Sequence, residues 1–276
     1  MTQPNPPPVP VMTMPRELDR AWPEWARRSN PIVRRQLGIY WKLMPPDFWL
    51  LGRYVGYQLI LLVLSIALPF LLTVFMPAAT VSLVVLPVAF VLHVQSLFRI
   101  GSMTSMSVLD EVRNDSLDLL RLCPRPLHHI MYSKAAAGVW RNVENISMVM
   151  FAAALTTLPL LVILFDNWVG TNEQPVLSRI AISAALVISV VRIPLECALM
   201  AAFGVLVGTT VRLRGAAIMT TALLGVGYIA AINLIRIPPW PTEIRLLVEL
   251  VPPLVLPLLL IPLCFWLAVR QIEHGK

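Results

Sequence analysis

Charge is what this sequence has least of. Asp, Glu, Lys and Arg make up 13% of its 276 residues and hydrophobic types 57%, against about 25% charged in a soluble domain. With a mean hydropathy of +0.74, the chain cannot clothe a globular surface in polar groups. An all-α integral membrane protein is expected instead. Cysteine is scarce as well: Cys123, Cys197 and Cys264 show no CxxC and no Cys/His spacing, which gives neither a disulfide framework nor a metal site. There is no G-x-x-x-x-G-K loop to cradle ATP, no H-E-x-x-H and no G-x-S-x-G. No catalytic residue and no cofactor of the chain's own are therefore assigned. His128 and His129 adjoin in a polar loop, where solvation accounts for them. Met1 to Pro10 has neither a charged start nor an apolar core, so no signal peptide is expected and insertion falls to internal spans.

Those spans are present. Six stretches reach the roughly 20 apolar residues that a crossing needs: about 55–75, 80–98, 146–165, a run within 180–207, 216–234 and 250–269. A turn at Met76-Pro77-Ala78 separates the first two. An even number puts both termini on one side. That side collects 18 Lys+Arg, eight before Val55, six from Arg99 to Arg141, then Arg212, Arg214, Arg270 and Lys276; the other holds Arg179, Arg236 and Arg245. The positive-inside rule makes the first side cytoplasmic. It also explains the net charge of +7 without nucleic acid, because the cations form no single patch.

Before the spans, residues 1–29 are rich in proline and read as a disordered or polyproline tail. Residues 30–44 then read as an interfacial helix, with Asn30 as cap and Pro31 at the first position. Val33, Leu37, Tyr40, Trp41 and Met44 share a stripe, while Arg34, Arg35 and Lys42 lie off it, facing lipid headgroups. Pro45 and Pro46 end it. Near the other end, the proline-broken stretch 236–250 reads as a short outer amphipathic helix.

The fourth run carries Arg192 and Glu196, one turn apart around Pro194. A charge at a helix centre costs about 3 kcal/mol on insertion scales. The pair has two readings: an arginine snorkelling at the outer interface and paired along its own helix, or two residues lining a polar cavity between helices. A span that begins as late as Ala185 favours the first. Gly204 and Gly208 give a small-xxx-small spacing that expects close helix packing.

Between the second and third spans, residues 109–134 form a polar loop with a short amphipathic helix, Leu117, Leu119, Leu120 and Leu122. Asp115 is its candidate N-cap, Asp118 meets the helix dipole, and Pro124 ends it. Such a helix, too short to span a bilayer, reads as a contact for a cytoplasmic partner.

This loop carries a resemblance. Glu111-x-Arg113-x-x-Ser116-Leu117-Asp118-Leu119-Leu120, then Leu122-x-Pro124 and Lys134, resembles the E-R-x-x-G-T-L-E-L-L, L-T-P and G-K signature of type-2 ABC exporter permeases. Asn30-Pro31-Ile32-Val33-Arg34-Arg35 resembles the N-P-x-x-R-R start of that family's elbow helix. Residues 204–214 resemble the inner end of its fourth span. Asp115, Ser116, Cys123 and Ser133 stand where the family has Gly, Thr, Thr and Gly. The resemblance implies a permease domain over 30–276 in the plasma (bacterial inner) membrane, paired with a second permease. It also implies a separate ATPase that holds ATP and Mg and receives the loop helix. The leucines would then be docking knobs, Glu111, Arg113 and Asp118 their polar companions, and Arg34 and Arg35 headgroup anchors. A membrane scaffold that recruits a partner, or a secondary transporter acting alone, are the alternatives.

Overall fold

A computed structural model describes residues 19–38, 48–114, 125–169 and 174–274, and no β-strand occurs among them. The α-helices are α1 (Pro31–Leu37), α2 (Phe48–Ala67), α3 (Met76–Arg113), α4 (Leu127–Arg141), α5 (Val143–Val169), α6 (Pro175–Thr210), α7 (Arg214–Arg236), α8 (Thr242–Leu250) and α9 (Pro252–His274). Six of them, α2, α3, α5, α6, α7 and α9, are long and apolar enough to cross a membrane. The protein is a multi-pass, all-α membrane protein.

Prolines and one glycine set the joints. Helix α2 starts and stops earlier than the 55–75 run suggests; it stops at Ala67 because Pro69 has no N–H to continue it, and a 3-10 segment, Pro69–Phe75, leads into α3. Pro77 then falls in the first turn of α3, where a missing N–H costs nothing. There is thus no break at 76–78. With 38 residues, α3 is about 57 Å long, nearly twice the hydrocarbon thickness of about 30 Å. Helix α6 spans 36 residues and is the central element: it packs on α2, α3, α4, α5, α7, α8 and α9. From Ile193 to Gly208 most of its residues are buried, whereas Leu83, Val84, Val88, Phe90 and Val91 of α3 are exposed. An apolar outer surface of this kind belongs against lipid acyl chains.

Two boundaries read from sequence are corrected. Asn30 does cap α1, its Oδ1 accepting from the Ile32 N–H at 3.0 Å, but the helix ends at Leu37, not at residue 44. Gly38 adopts φ 55, a left-handed backbone that suits glycine and closes a helix. Trp41 and residues 39–47 lie outside the described residues. The tail reading fails from Asp19 onward. Asp19 accepts from the backbone N–H groups of Arg28 and Ser29 at 2.8 and 3.1 Å. Trp140 of α4 donates its Nε1–H to Ala26 O at 2.8 Å, and the Arg28 guanidinium lies 4.4 Å from the Trp140 ring centre. Ala26, Val33 and Leu37 share an apolar core with Ala136, Ala137, Trp140 and Val143. Residues 19–38 thus fold as a collar on α4, supplied with burial that their own composition lacks.

Candidate functional site

Two groups of polar residues stand out, one at the collar end of the bundle and one between the long helices. At the collar end, the loop helix predicted over residues 115–124 lies outside the described residues, and with it Asp115, Ser116, Leu117, Asp118, Leu119, Leu120, Leu122 and Pro124. Its two flanks are described. Helix α3 carries the chain to Arg113, and α4 takes it up at Leu127, so the loop is shorter than 109–134 and Lys134 is a helical residue.

The flanks are tied together. Lys134 is only 1% exposed and pairs with Glu111 in the last turn of α3. One residue earlier, Asp110 receives Arg214 Nη2 at 2.7 Å, which joins α3 to the start of α7. Gln36 Nε2 donates to Ser107 Oγ at 3.0 Å and Asn30 Nδ2 to Ser133 Oγ at 3.2 Å, joining the collar to α3 and α4. Arg34, Arg35 and Arg113 are exposed.

Burial, and after it the positive field of Arg35, push the Lys134 ammonium down to about 7. The touching Glu111 carboxylate pulls the other way, since it favours the charged form. Glu111→Gln removes that support. In the unfolded chain the lysine titrates near 10.4, so between about pH 7 and 10 that state holds a proton the folded wild type has released, and in the variant the window opens further down, below pH 7. Stability should rise with pH across this window, by up to about 1.4 kcal/mol per unit. Below pH 7 the wild-type curve flattens as both states become protonated, whereas that of Glu111→Gln goes on falling to a lower pH before the burial penalty is felt in full. Melting curves of E111Q and the wild type across this range check it. A rise that sets in at the same pH in the variant as in the wild type would mean that Glu111 does not hold the Lys134 charge.

The second group sits near the middle of α6. Glu196 is 2% exposed and accepts from three helices. Arg192 Nε donates to its Oε1 along α6, Tyr228 Oη from α7 reaches the same oxygen at 3.4 Å, and His93 Nε2 from α3 lies 2.7 Å from Oε2. His93 Nδ1 is buried with no hydrogen-bond partner among the described residues. Arg192 and Glu196 thus pair along their own helix, and they also meet other helices: Glu196 faces α3 and α7, and Arg192, 27% exposed along its side chain, lines a cavity between helices. Arg236 at the end of α7 forms an ion pair with Glu249 of α8 at 2.9 Å on the wall of that same cavity. Charge counting places Arg236 on the side opposite the termini. Arg179, assigned there too, is buried with its Nε 3.1 Å from Ser65 Oγ of α2.

Gly204 and Gly208 lie where α6 crosses α3. A methyl group added at Gly204 would come within 2.6 Å of the Gly101 carbonyl, and one at Gly208 within 2.7 Å of the Ser105 carbonyl. The small-residue spacing marks a real backbone-to-backbone approach. No group of three or more His, Cys, Asp or Glu that could hold a metal occurs among the described residues.

Neither family models, curated proteins nor solved structures offer a match to this chain.

Proposed function

We propose that the chain is the membrane-spanning permease subunit of an ATP-driven exporter of the type-2 ABC kind. It works with a separate cytoplasmic ATPase and a second permease, identical or not. One observation carries the reading: the segment that resembles an ATPase-docking signature joins α3 and α4, and these helices are tied to each other by Lys134 and Glu111 and to α7 by Asp110 and Arg214. A push on residues 115–124 thus reaches α3 and α4 as a pair rather than dissipating in a loose loop. Helix α3 in turn meets α6 at Gly204 and Gly208 and again at His93 and Glu196. The bundle accordingly has a mechanical route from the docking segment to its buried polar centre.

In this reading the termini and the docking segment are cytoplasmic in a plasma membrane, as the charge bias implies, with Arg34 and Arg35 turned to lipid headgroups. ATP and Mg belong to the partner. Closing of the ATPase pair on ATP favours one arrangement of the spans, and a switch of this kind requires several kcal/mol of preference. The predominantly apolar spans suit a hydrophobic or amphipathic cargo.

Leu120→Asp tests the proposal. Placing a carboxylate in an apolar docking contact should abolish association with the ATPase that co-purifies from native membranes, and the ATP hydrolysis with it, while insertion of the permease is unchanged. If no ATPase co-purifies, or if association ignores the substitution, a scaffold that recruits some other partner becomes the better account.

A further inference from the structure

The cavity beside the buried polar centre has its own chemistry. It lies between α5, α6, α7 and α8, with a volume of about 120 Å³, room for about four waters at 30 Å³ each. Ser189, Arg192, Arg236 and Glu249 supply its polar wall, and Leu164 and Phe165 are among the apolar residues that complete it.

Hydrogen-bond supply and demand in this wall do not balance. A guanidinium carries five N–H donors and no acceptor. Arg192 donates through Nε to Glu196, and its terminal nitrogens make no hydrogen bond among the described residues. Arg236 forms an ion pair with Glu249, Nε to Oε2 at 2.9 Å, in a geometry that leaves its Nε–H without a hydrogen-bond partner among the described residues; Nη2 makes a long contact of 3.4 Å with the Glu249 carbonyl, which leaves Nη1 over as well. On the acceptor side the Ser189 hydroxyl gives its hydrogen to Leu186 O but keeps its lone pairs. With it stand the two Glu249 carboxylate oxygens, one of them already paired with Arg236, so the guanidinium N–H groups still outnumber the acceptor atoms. Two ion pairs kept for architecture alone would be replaceable by apolar side chains at little cost, and they would not need a cavity between them.

We infer that this cavity binds an oxyanion, a phosphate or a carboxylate, carried as the headgroup of an amphiphile. Guanidinium forks match the planar spacing of such oxygens, and charge-assisted bonds of this kind are roughly twice as strong as neutral ones. Glu196 and Glu249 keep the empty site neutral and hold both forks in place before the ligand arrives, which lowers the ordering cost of binding. The apolar side of the wall receives the first carbons of the tail. As a statement about cargo this rests on the permease reading; as a statement about binding it stands without it.

The test is equilibrium binding to the purified full-length protein in an uncharged detergent, with three probes: dodecyl phosphate, dodecanol and inorganic phosphate. Dodecyl phosphate should bind saturably and dodecanol should not. Arg192→Lys and Arg236→Lys keep each charge opposite its carboxylate but remove the fork, and each should weaken dodecyl phosphate binding by about tenfold. Inorganic phosphate bound as tightly as dodecyl phosphate, and lost in the same variants, would assign the oxyanion site to a free anion and remove the amphiphile from the inference. Dodecanol binding equal to dodecyl phosphate, or binding indifferent to both lysine variants, overturns the site altogether. The phosphate-to-dodecanol comparison needs no variant, so a misfolded mutant does not obscure the answer. No ATPase is present in the assay, so its failure leaves the docking reading untouched, and a failed Leu120→Asp experiment leaves this one untouched.

Discussion

Glu196→Ala should destabilise the folded bundle by about 3 kcal/mol, at the lower end of the range for breaking a buried ion pair from one side. The reasoning starts from the three donors that converge on one carboxylate: Arg192, Tyr228 and His93. Removing the acceptor leaves a guanidinium with most of its side chain out of solvent and takes away the partner of an almost fully buried imidazole. Arg192 keeps 27% exposure and can recover some hydration, which is why the lower end of the range applies. Replacing both members should cost much less. In Arg192→Leu/Glu196→Leu no uncompensated charge remains, and apolar side chains of similar volume occupy the space. A double-mutant cycle built from chemical unfolding in detergent measures the coupling. If Glu196→Ala falls within about 0.5 kcal/mol of the wild type, the value for an uninvolved surface change, the carboxylate is held by water rather than by these three side chains.

Why the pair was visible in sequence, and its setting was not, follows from distance along the chain. Arg192 and Glu196 are one helical turn apart, and that spacing can be read directly. His93 is 103 residues from Glu196 and Tyr228 is 32 away, so the convergence of three helices on one carboxylate exists only after packing. Arg236 and Glu249 were hidden for a different reason. Each sits at the end of an apolar run, where a charge ordinarily faces water, and only the return of α8 onto α6 and α7 places them on a cavity wall. The same contrast runs through the fold. Span number is legible because each crossing needs its own long apolar run. The joints are not, since a single Pro69 or Gly38 ends a helix inside a pattern that periodicity would extend. Residues 19–29 escape a reading by composition, which measures what a segment can bury by itself, because Ala26 is buried with Trp140 of α4, which a window over the tail never includes. The loop read over 109–134 is shorter for the same reason: α4 already begins at Leu127, and its Ala136 and Ala137 share a core with Val33 and Leu37 of α1, a partner far off in sequence.

The small-residue spacing makes the sharpest steric forecast. At Gly204 an added methyl meets the Gly101 carbonyl oxygen at 2.6 Å and Thr104 Cβ at 2.9 Å, and neither is the free end of a flexible side chain. The helices must therefore separate. Gly204→Ala should cost about 2 kcal/mol, and Gly204→Val about 3 kcal/mol or more, in the upper range for overpacking. Gly208→Ala should behave alike, because Ser105 O and Val108 Cβ stand 2.7 and 2.8 Å from the added carbon. Gly227 of α7 is the control: nothing lies within 4 Å of its would-be Cβ, so Gly227→Ala should be neutral or stabilise by up to about 1 kcal/mol through helix propensity. Separation of α3 from α6 has a second consequence. His93 lies two turns before Gly101 on α3, and Glu196 two turns before Gly204 on α6, so a wedge at the crossing also strains the contact of 2.7 Å between them. Gly204→Val and Glu196→Ala should then be less than additive, the double variant losing less than the sum of the two. Strict additivity would mean that the crossing and the polar centre yield independently, and the mechanical route along α3 would lose its middle link.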